Sequence, residues 1–204
     1  MLRLYRQPRQ GEFFVIFGDT AQGGSDSNFV QFLSKSVVDI PLVLQVKDVA
    51  AAMTPILHQT AEWIFDQTKV KPVVGLERQN GGASEMERLR VMNRLNKYTL
   101  YYLKKDGQPT EKLGWSTDMI TRPTMIGDWK MAFDSNQVKI YDEETIKQHR
   151  TFITNKQNRP EAAPNTHDDA VMSCAGAWQL YQTENPPAKP ISNRPKPKRM
   201  KLHV

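Results

Sequence analysis

Short apolar runs separated by polar, turn-rich segments dominate the first part of the chain, and this pattern is typical of buried β-strands. Two such runs, at 13–17 and 29–33, flank a connection rich in glycine, serine and aspartate, which predicts an antiparallel pair. The same pattern predicts strands at 42–46 and 73–76. This part of the chain therefore favours a β-sheet.

Apolar residues at helical spacing follow Thr54-Pro55, where threonine suits the N-cap and proline the first helical position. We therefore predict a helix that begins there and buries Leu57, Ala61 and Ile64. The remaining predicted elements are helices at about 85–95, 122–133, 143–153 (capped by Asp142) and 168–181, strands at 99–103 and 138–141, a hairpin at 104–112 turning at Asp106-Gly107, and a polar stretch at 154–166. Strands and helices in this order predict a mixed α/β sheet of five or more strands with helices on both faces.

With 204 residues and 39% hydrophobic content, the chain is long enough to bury one sizeable core. We predict one domain over 1–185 and a proline-rich, basic tail over 186–204 that is disordered or extended. The tail has six basic residues and no acid, whereas the rest of the chain has 22 basic and 22 acidic residues. A DNA- or partner-binding role and a solubilising role are both consistent with this tail.

The single cysteine, Cys174, excludes an internal disulfide framework. The sequence shows neither a charged-then-apolar leader nor a long apolar span. These features predict a soluble protein in a reducing, cytoplasmic setting, with no membrane partner.

Acidic residues stand where apolar runs end: Asp19 follows the run at 13–17, Glu77 follows 73–76, and Asp168-Asp169 opens the last predicted helix. Carboxylates gathered at one rim of a sheet repel, by about 4 kcal/mol for two unit charges 4 Å apart at an effective dielectric near 20. A bound divalent cation offsets such repulsion most simply. Oxygen ligands without a histidine or cysteine cluster suit Mg²⁺ or Mn²⁺ better than Zn²⁺.

The acids predict a site for two metal ions that hydrolyses phosphodiesters, with Asp19 bridging both ions. Glu77 and either Asp168 or Asp169 would each hold one ion from its own side. The purely structural alternatives are a turn for Asp19, an ion pair with Arg78 or Arg88 for Glu77, and an N-cap for Asp168 or Asp169. The metal site would be excluded only if all three structural alternatives were true at once. This favours the metal interpretation.

Helical phase separates the two adjacent aspartates. Asp168 is in line with an apolar stripe, and Asp169 is in line with smaller residues, so we predict Asp168 as the principal ligand and Asp169 as a second or alternative ligand. The predicted stripe comprises Val171, Ala175 and Trp178. His167 could orient a carboxylate, contact phosphate or bind a metal, but a lone histidine in a loop is more often a surface residue.

Four segments together resemble a known family. They are Gly18-Asp19-Thr20-Ala21-Gln22-Gly23-Gly24-Ser25-Asp26, Gly75-Leu76-Glu77-Arg78-Gln79-Asn80-Gly81-Gly82, Gly114-Trp115-Ser116-Thr117 with Thr121-Arg122-Pro123, and His167-Asp168-Asp169-Ala170. In this order they resemble the carboxy-terminal nuclease domain of tailed-bacteriophage terminase large subunits, over roughly 10–182. The resemblance implies a ribonuclease H-like fold with Asp19 on the first strand, Glu77 on the fourth strand beside it, and Asp168 at the final helix. Asp169 matches the second acid of the family's frequent Asp-Asp pair.

The resemblance also implies Mg²⁺- or Mn²⁺-dependent cleavage of concatemeric double-stranded viral DNA in the cytoplasm of the bacterial host. A motor ATPase domain, a portal and a small terminase subunit would be the partners in the full assembly. The chain has no Gly-x4-Gly-Lys-Ser/Thr motif, so we do not expect it to hydrolyse ATP.

Basic residues near the predicted site are candidates for DNA contact. The hairpin at 104–112 resembles a mobile hairpin near the family's active site, where Lys104 and Lys105 would suit phosphate, although a solvated hairpin tip is also consistent. Arg122 fits either a DNA contact or a packing and capping role. For Trp115 we predict packing.

Three other functions share parts of this pattern. A junction resolvase or transposase core would use the same acids and would prefer branched DNA. A non-catalytic packaging module would dock to DNA or a portal through its tail and would bind no divalent ion near Asp19 and Glu77. An actin-like phosphotransferase is suggested by Gly18-Asp19-Thr20, but a second glycine-rich phosphate loop is lacking.

Overall fold

The structure, a computed structural model, describes residues 1–23, 26–155 and 160–186. Its elements are β1 (Leu2–Leu4), β2 (Phe14–Asp19), β3 (Asn28–Ser34), β4 (Asp39–Val46), α1 (Ala50–Thr68), β5 (Val73–Leu76), α2 (Gly82–Met92), β6 (Thr99–Leu100), β7 (Tyr102–Lys105), β8 (Gln108–Leu113), α3 (Thr121–Asp134), β9 (Lys139–Ile140), α4 (Glu143–Arg150), β10 (Phe152–Thr154), β11 (Pro160–Ala162) and α5 (Asp169–Thr183). Nearly all of the predicted tail, 187–204, lies outside the described residues, as do Gly24 and Ser25 of the first motif.

A mixed seven-stranded sheet forms the centre of the fold, with the order β1-β4-β3-β2-β5-β6 and with β9 against β4. β3 is antiparallel to both of its neighbours, β2 and β4, and the β2–β3 pair is the antiparallel pair that the sequence predicts. β5 runs parallel to β2, and β6 runs parallel to β5. The predicted mixed sheet of five or more strands is therefore confirmed.

The sheet separates two hydrophobic cores because side chains alternate along its central strands. On β2, Val15 and Phe17 face a core shared with α3 and α5, and Phe14 and Ile16 face the core shared with α1 and α2. Helices therefore cover both faces, as predicted. Apolar residues on both sides explain why β2 reads as a continuous apolar run rather than an alternating one.

Helix α1 begins at Ala50, so the prediction that Thr54 is its N-cap was wrong. The Thr54 hydroxyl lies inside the helix and donates to Glu85 on α2. Pro55 has no amide proton, which frees the carbonyl of Ala51, and the Arg88 guanidinium on α2 donates to that carbonyl at 2.9 Å. Contacts with α2 thus compensate for a proline inside the helix. No helix within 1–23, 26–155 and 160–186 is long and apolar enough to cross a bilayer.

The predicted strand at 99–103 is divided at Tyr101. Its amide donates to β5 at 2.8 Å while its carbonyl accepts from Gly114, so the chain leaves the main sheet there and enters the β7–β8 hairpin. The hairpin turns at Asp106-Gly107, both with positive φ, as predicted.

The helix predicted at 143–153 ends at Arg150. Asp142 caps it by accepting from the Thr145 amide at 2.8 Å, as predicted. Phe152 and Ile153 favour a strand, and β10 pairs with β11 in the stretch that we expected to be irregular. Strand β1, which lies on the edge of β4, was also not predicted.

Buried ion pairs attach the amino-terminal segment to the sheet. Arg6 binds Asp39 through two hydrogen bonds of 2.6 Å and also binds Glu12, and both carboxylates are almost fully buried. Tyr141 donates to Asp39 at 3.1 Å. Burial alone would raise the pKa of Glu12, but hydrogen bonds from Arg6 and Ser34 hold it below its usual value.

Candidate metal centre

Asp19 and Glu77 meet because two neighbouring strands run parallel and end together. Gly18 on β2 lies opposite Leu76 on β5, so the next residues, Asp19 and Glu77, lie side by side at the same edge of the sheet. The Glu77 amide donates to the Gly18 carbonyl at 2.9 Å. The carboxyls of Asp19 and Glu77 lie next to each other, close enough that Glu77 helps to raise the pKa of Asp19.

The loops after β2 and β5 are joined just behind the two acids. The Thr20 hydroxyl donates to the carbonyl of Gln79 at 2.9 Å, and the fully buried Asn28 accepts from the Ala21 amide at 2.9 Å. A Cβ on Gly82 would lie 1.7 Å from the Glu77 carbonyl oxygen, so only glycine lets α2 begin this close to the strand end. The backbone that carries both carboxyls is thus fixed on several sides.

Helix α5 brings Asp168 and Asp169 to the same edge of the sheet. The helix packs on β2 and β3, and a Cβ on Gly176 would lie 2.1 Å from the Phe17 ring, so glycine is required for this close approach. Asp168 is the residue before the helix and Asp169 its first residue. The amino-terminal end of α5 therefore lies beside Asp19.

The alternative structural roles of the acids do not match their contacts. Asp168 is at the N-cap position, but its side chain makes no capping hydrogen bond and instead accepts from Arg122 at 3.3 Å. Arg78, proposed as a partner for Glu77, donates to the carbonyl of Leu113. Arg88, the other proposed partner, donates to Ala51 and pairs with Glu85 on α2.

Burial and negative neighbours raise the pKa of Asp19 well above its usual value. Burial is the largest cause, followed by Glu77 and then by the charges of Asp169 and Asp168. Burial also raises the pKa of Asp169 to about 6, and the hydrogen bond from the Ser27 amide acts in the opposite direction. A positive charge in this position would therefore favour the ionised forms of Asp19 and Asp169.

The four acids line one open cavity of about 390 Å³. Across the described residues, however, no three His, Cys, Asp or Glu side chains are already arranged to hold one metal ion. Asp168 is turned toward Arg122, and Asp169 accepts from the Ser27 amide at 3.2 Å. The all-oxygen donor set fits a hard divalent cation, and its assembly requires Asp168 or Asp169 to exchange these partners for the ion.

The helical-phase argument for Asp168 over Asp169 is not supported by the packing of α5. Every residue from Ala170 to Leu180 is buried, so the helix has no single apolar stripe that marks the sheet side. Both aspartates reach the cavity, and each has one hydrogen-bond partner that competes with a metal. The choice between them stays a prediction.

Two of the predicted supporting residues lie near the acids. Arg122 lines the cavity and pairs with Asp168. His167 is partly exposed and lies 3.4 Å from the carboxylate of Asp26, which also lines the cavity. Arg122 is therefore better placed than His167 to meet a ligand in this cavity.

Lys104 and Lys105, on strand β7 of the hairpin, do not line this cavity. Lys104 pairs with Glu184, beyond the carboxy-terminal end of α5, at 2.5 Å, and Lys105 is exposed next to it. Lys35, which follows β3, donates to the backbone of Glu184. Since α5 has 15 residues, it spans about 22 Å, and Lys104 lies toward the end opposite the acids. Trp115, after the hairpin, packs on Tyr101 with ring centroids 5.9 Å apart, as predicted.

Sequence reasoning missed the roles of Asn28, Thr20 and Gln79. The sequence signal for Thr20 and Gln79 was that they are close neighbours of predicted ligands. The signal for Asn28 was its polar side chain at the start of an otherwise apolar strand.

The chain has a ribonuclease H-like fold. Solved structures that share it are the large terminase nuclease of thermophilic phage G20c with bound magnesium (TM-score 0.62, 15% identity, 87% of this chain and 84% of that chain), the large terminase nuclease domain of Thermus phage P74-26 (0.62, 14%, 90% and 87%) and the P22 large terminase nuclease domain (0.54, 10%, 89% and 87%). No protein-family model matches the sequence, and no curated protein is significantly similar to it. The resemblance found in the sequence motifs thus agrees with the fold of phage large terminase nuclease domains.

Proposed function

We propose that this chain is the nuclease domain of a phage large terminase and that it cleaves concatemeric double-stranded DNA with Mg²⁺ or Mn²⁺. The observation that carries the proposal is the contact between Asp19 and Glu77 at the joined ends of two parallel strands, with Asp168 and Asp169 in the same cavity. Structures of the similar G20c nuclease contain bound magnesium, cobalt or zinc, which supports a divalent-metal site.

In this proposal Asp19 would hold both ions, because it interacts with Glu77 and with both α5 aspartates. Glu77 binds one ion, and Asp168 binds the other with Asp169 as a second or alternative ligand. When bound, two such ions activate a water and stabilise the leaving oxygen of a phosphodiester. The rigid backbone behind Asp19 and Glu77 keeps their carboxyls in place while α5 supplies the adjustable ligands.

Arg122 can pair either with Asp168 or with a DNA phosphate. In the structure it neutralises Asp168, and its guanidinium can also donate to a DNA phosphate at the cavity rim. A phosphate contact positions the backbone and carries no base information, so it favours low sequence preference. His167 would act on this site indirectly, through Asp26.

The proposed nuclease function also implies a substrate, partners and a cellular location. The substrate is double-stranded DNA, and the motor ATPase domain, portal and small subunit of a terminase are the proposed partners in the cytoplasm of the host. We propose 1–185 as the nuclease domain and the basic tail, 186–204, as a DNA- or partner-binding segment. Lys104 and Lys105 would contact DNA only where it extends past the far end of α5.

A plasmid assay tests the proposed function. With Mn²⁺, the wild-type chain should convert supercoiled plasmid to nicked and linear forms, and EDTA should stop the reaction. Glu77→Gln should lower the rate by more than about 100-fold, since even residues that only orient metal ligands contribute about 10–100-fold. Glu87→Gln, which alters an exposed ion pair on α2, is the matched control and should cleave normally.

Three results would contradict the proposal: cleavage in EDTA, full activity of Glu77→Gln, or no cleavage by a folded wild-type protein. A strong preference for branched DNA over linear duplex would instead favour a junction-resolving nuclease with the same acids.

A further inference from the structure

Two large apolar side chains project from the loop before α3. Met119 is 87% exposed and Ile120 is 82% exposed. Single exposed apolar residues are common on protein surfaces. Two adjacent ones at a loop tip instead expose a local apolar patch to water. The position of this tip relative to the acids indicates what it binds.

The tip is attached at both ends to the wall of the carboxylate cavity. On one side, the Gln79 side chain, which lines the cavity, donates to the carbonyl of Thr117. On the other side, Arg122 pairs with Asp168 at 3.3 Å. Met119 and Ile120 lie between these two attachments in the chain. Met119 and Arg122 line a neighbouring cavity of about 330 Å³, and Arg122 also lines the carboxylate cavity, so the tip lies next to the acids on the far side of Arg122.

The tip is also held in one conformation. The Asp118 carboxylate accepts from the amides of Ile120 and Thr121 at 2.8 and 2.7 Å, and the Thr121 hydroxyl donates to the carbonyl of Ser116 at 3.1 Å. A tip that is already ordered loses little conformational entropy when it binds. The loop can therefore present its two side chains to a partner at low cost.

We propose that Met119 and Ile120 insert against the bases of duplex DNA next to the cleaved phosphate and partly unstack one base step. This inference rests on the proposed nuclease function, which places a phosphodiester in the adjoining cavity. Apolar side chains inserted between base steps unstack and kink a duplex, and the bend allows more contact with the protein. Arg122, between the tip and the acids, would hold the phosphate of the same step.

The proposal gives the enzyme a weak sequence preference without base-specific hydrogen bonds. Pyrimidine–purine steps such as TA and CA/TG unstack more easily than others, so cleavage should be enriched at those steps. Replacing the two apolar side chains with serine should remove this enrichment.

The main experiment compares wild-type protein with the double variant Met119→Ser/Ile120→Ser on labelled duplexes with Mn²⁺. We expect the variant to cleave an intact duplex at least tenfold more slowly, but to recover most of the rate on a duplex with an abasic site at the cleaved step. Met131→Ser, on an equally exposed apolar residue of α3 (71%), is the control and should behave as wild type. Unchanged melting temperatures confirm that the variants fold.

Equal cleavage of intact duplex by the variant and the wild type would overturn the proposal and leave the pair as a contact for a protein partner. An equal loss on intact and abasic duplexes would also overturn it, because the pair would then act on something other than unstacking.

A second measurement does not depend on cleavage. In an Asp19→Asn background, binding of a duplex with 2-aminopurine at the central step should raise its fluorescence, and the serine substitutions should abolish the rise. If the wild type fails to cut any DNA, the proposed function fails, yet this signal still decides the inference. Absence of the rise would overturn it.

Discussion

Asp19→Asn should eliminate metal-dependent DNA cleavage and at the same time make the metal-free protein more stable. The loss of a direct ligand to both ions should reduce the rate by more than about 100-fold, beyond the usual effect of residues that only orient ligands. The stability gain follows from removing a buried carboxyl whose pKa is raised by burial and by Glu77. Relief of strain at a functional site is commonly worth about 0.5–2 kcal/mol, or about 1–8 °C in melting temperature for a chain of this size.

Thermal melts with and without Mn²⁺ measure the stability gain and the loss of metal binding, and the plasmid assay measures the loss of cleavage. An ion at 100 times its dissociation constant stabilises the folded state by about 2.7 kcal/mol, and we expect this shift in the wild type but not in Asp19→Asn. Asp134→Asn, at an exposed ion pair at the end of α3, should leave melts and cleavage unchanged. A variant that melts below the wild type, or still cleaves, would show that Asp19 is an ordinary structural residue.

Arg6→Met should destabilise the fold by about 3–5 kcal/mol, because it leaves two buried carboxylates without their positive partner. Glu12 is 3% exposed and Asp39 1% exposed, and Arg6 donates to both. Urea or thermal unfolding at neutral pH measures the loss. Arg90→Met removes an exposed pair with side chains 60% and 54% exposed, and should leave the stability almost unchanged.

The pH dependence of this loss identifies its cause. Since the pKa of Glu12 is lowered in the folded state, its ion pair stabilises the protein above the ordinary value of 4.5 and is lost as the pH falls through the lowered value. The stability gap between the wild type and Arg6→Met should therefore shrink in acid. The triple variant with Glu12→Gln and Asp39→Asn should recover much of the stability at pH 7, and a gap that persists in both tests would indicate lost packing instead.

The sequence could predict the strands and the acids at their ends, because buried strands appear as apolar runs with a polar residue at the exit. It could not show from periodicity that β2 and β5 are neighbours, since β3, β4 and α1 lie between them in the chain. The family resemblance supplied that pairing. The contact between Asp19 and Glu77 depends on it.

Other features depend on tertiary packing that local patterns do not contain. Helix α5 is buried on all sides, so helical phase could not separate Asp168 from Asp169. The start of α1 was hidden because Pro55 is tolerated inside the helix only through Arg88 of another helix. The direction of the hairpin, which takes Lys104 toward Glu184, follows from the pivot at Tyr101 rather than from the turn residues.

Anomalous scattering from crystals soaked in Mn²⁺ tests the central claim most directly, because it locates the ions without reference to activity. We predict two peaks about 3.5–4 Å apart in the cavity, with Asp19 touching both, Glu77 touching one, and Asp168 or Asp169 turned away from its present partner toward the other. Peaks only elsewhere on the protein, or an Asp19 carboxyl that contacts no ion at saturating Mn²⁺, would contradict the account.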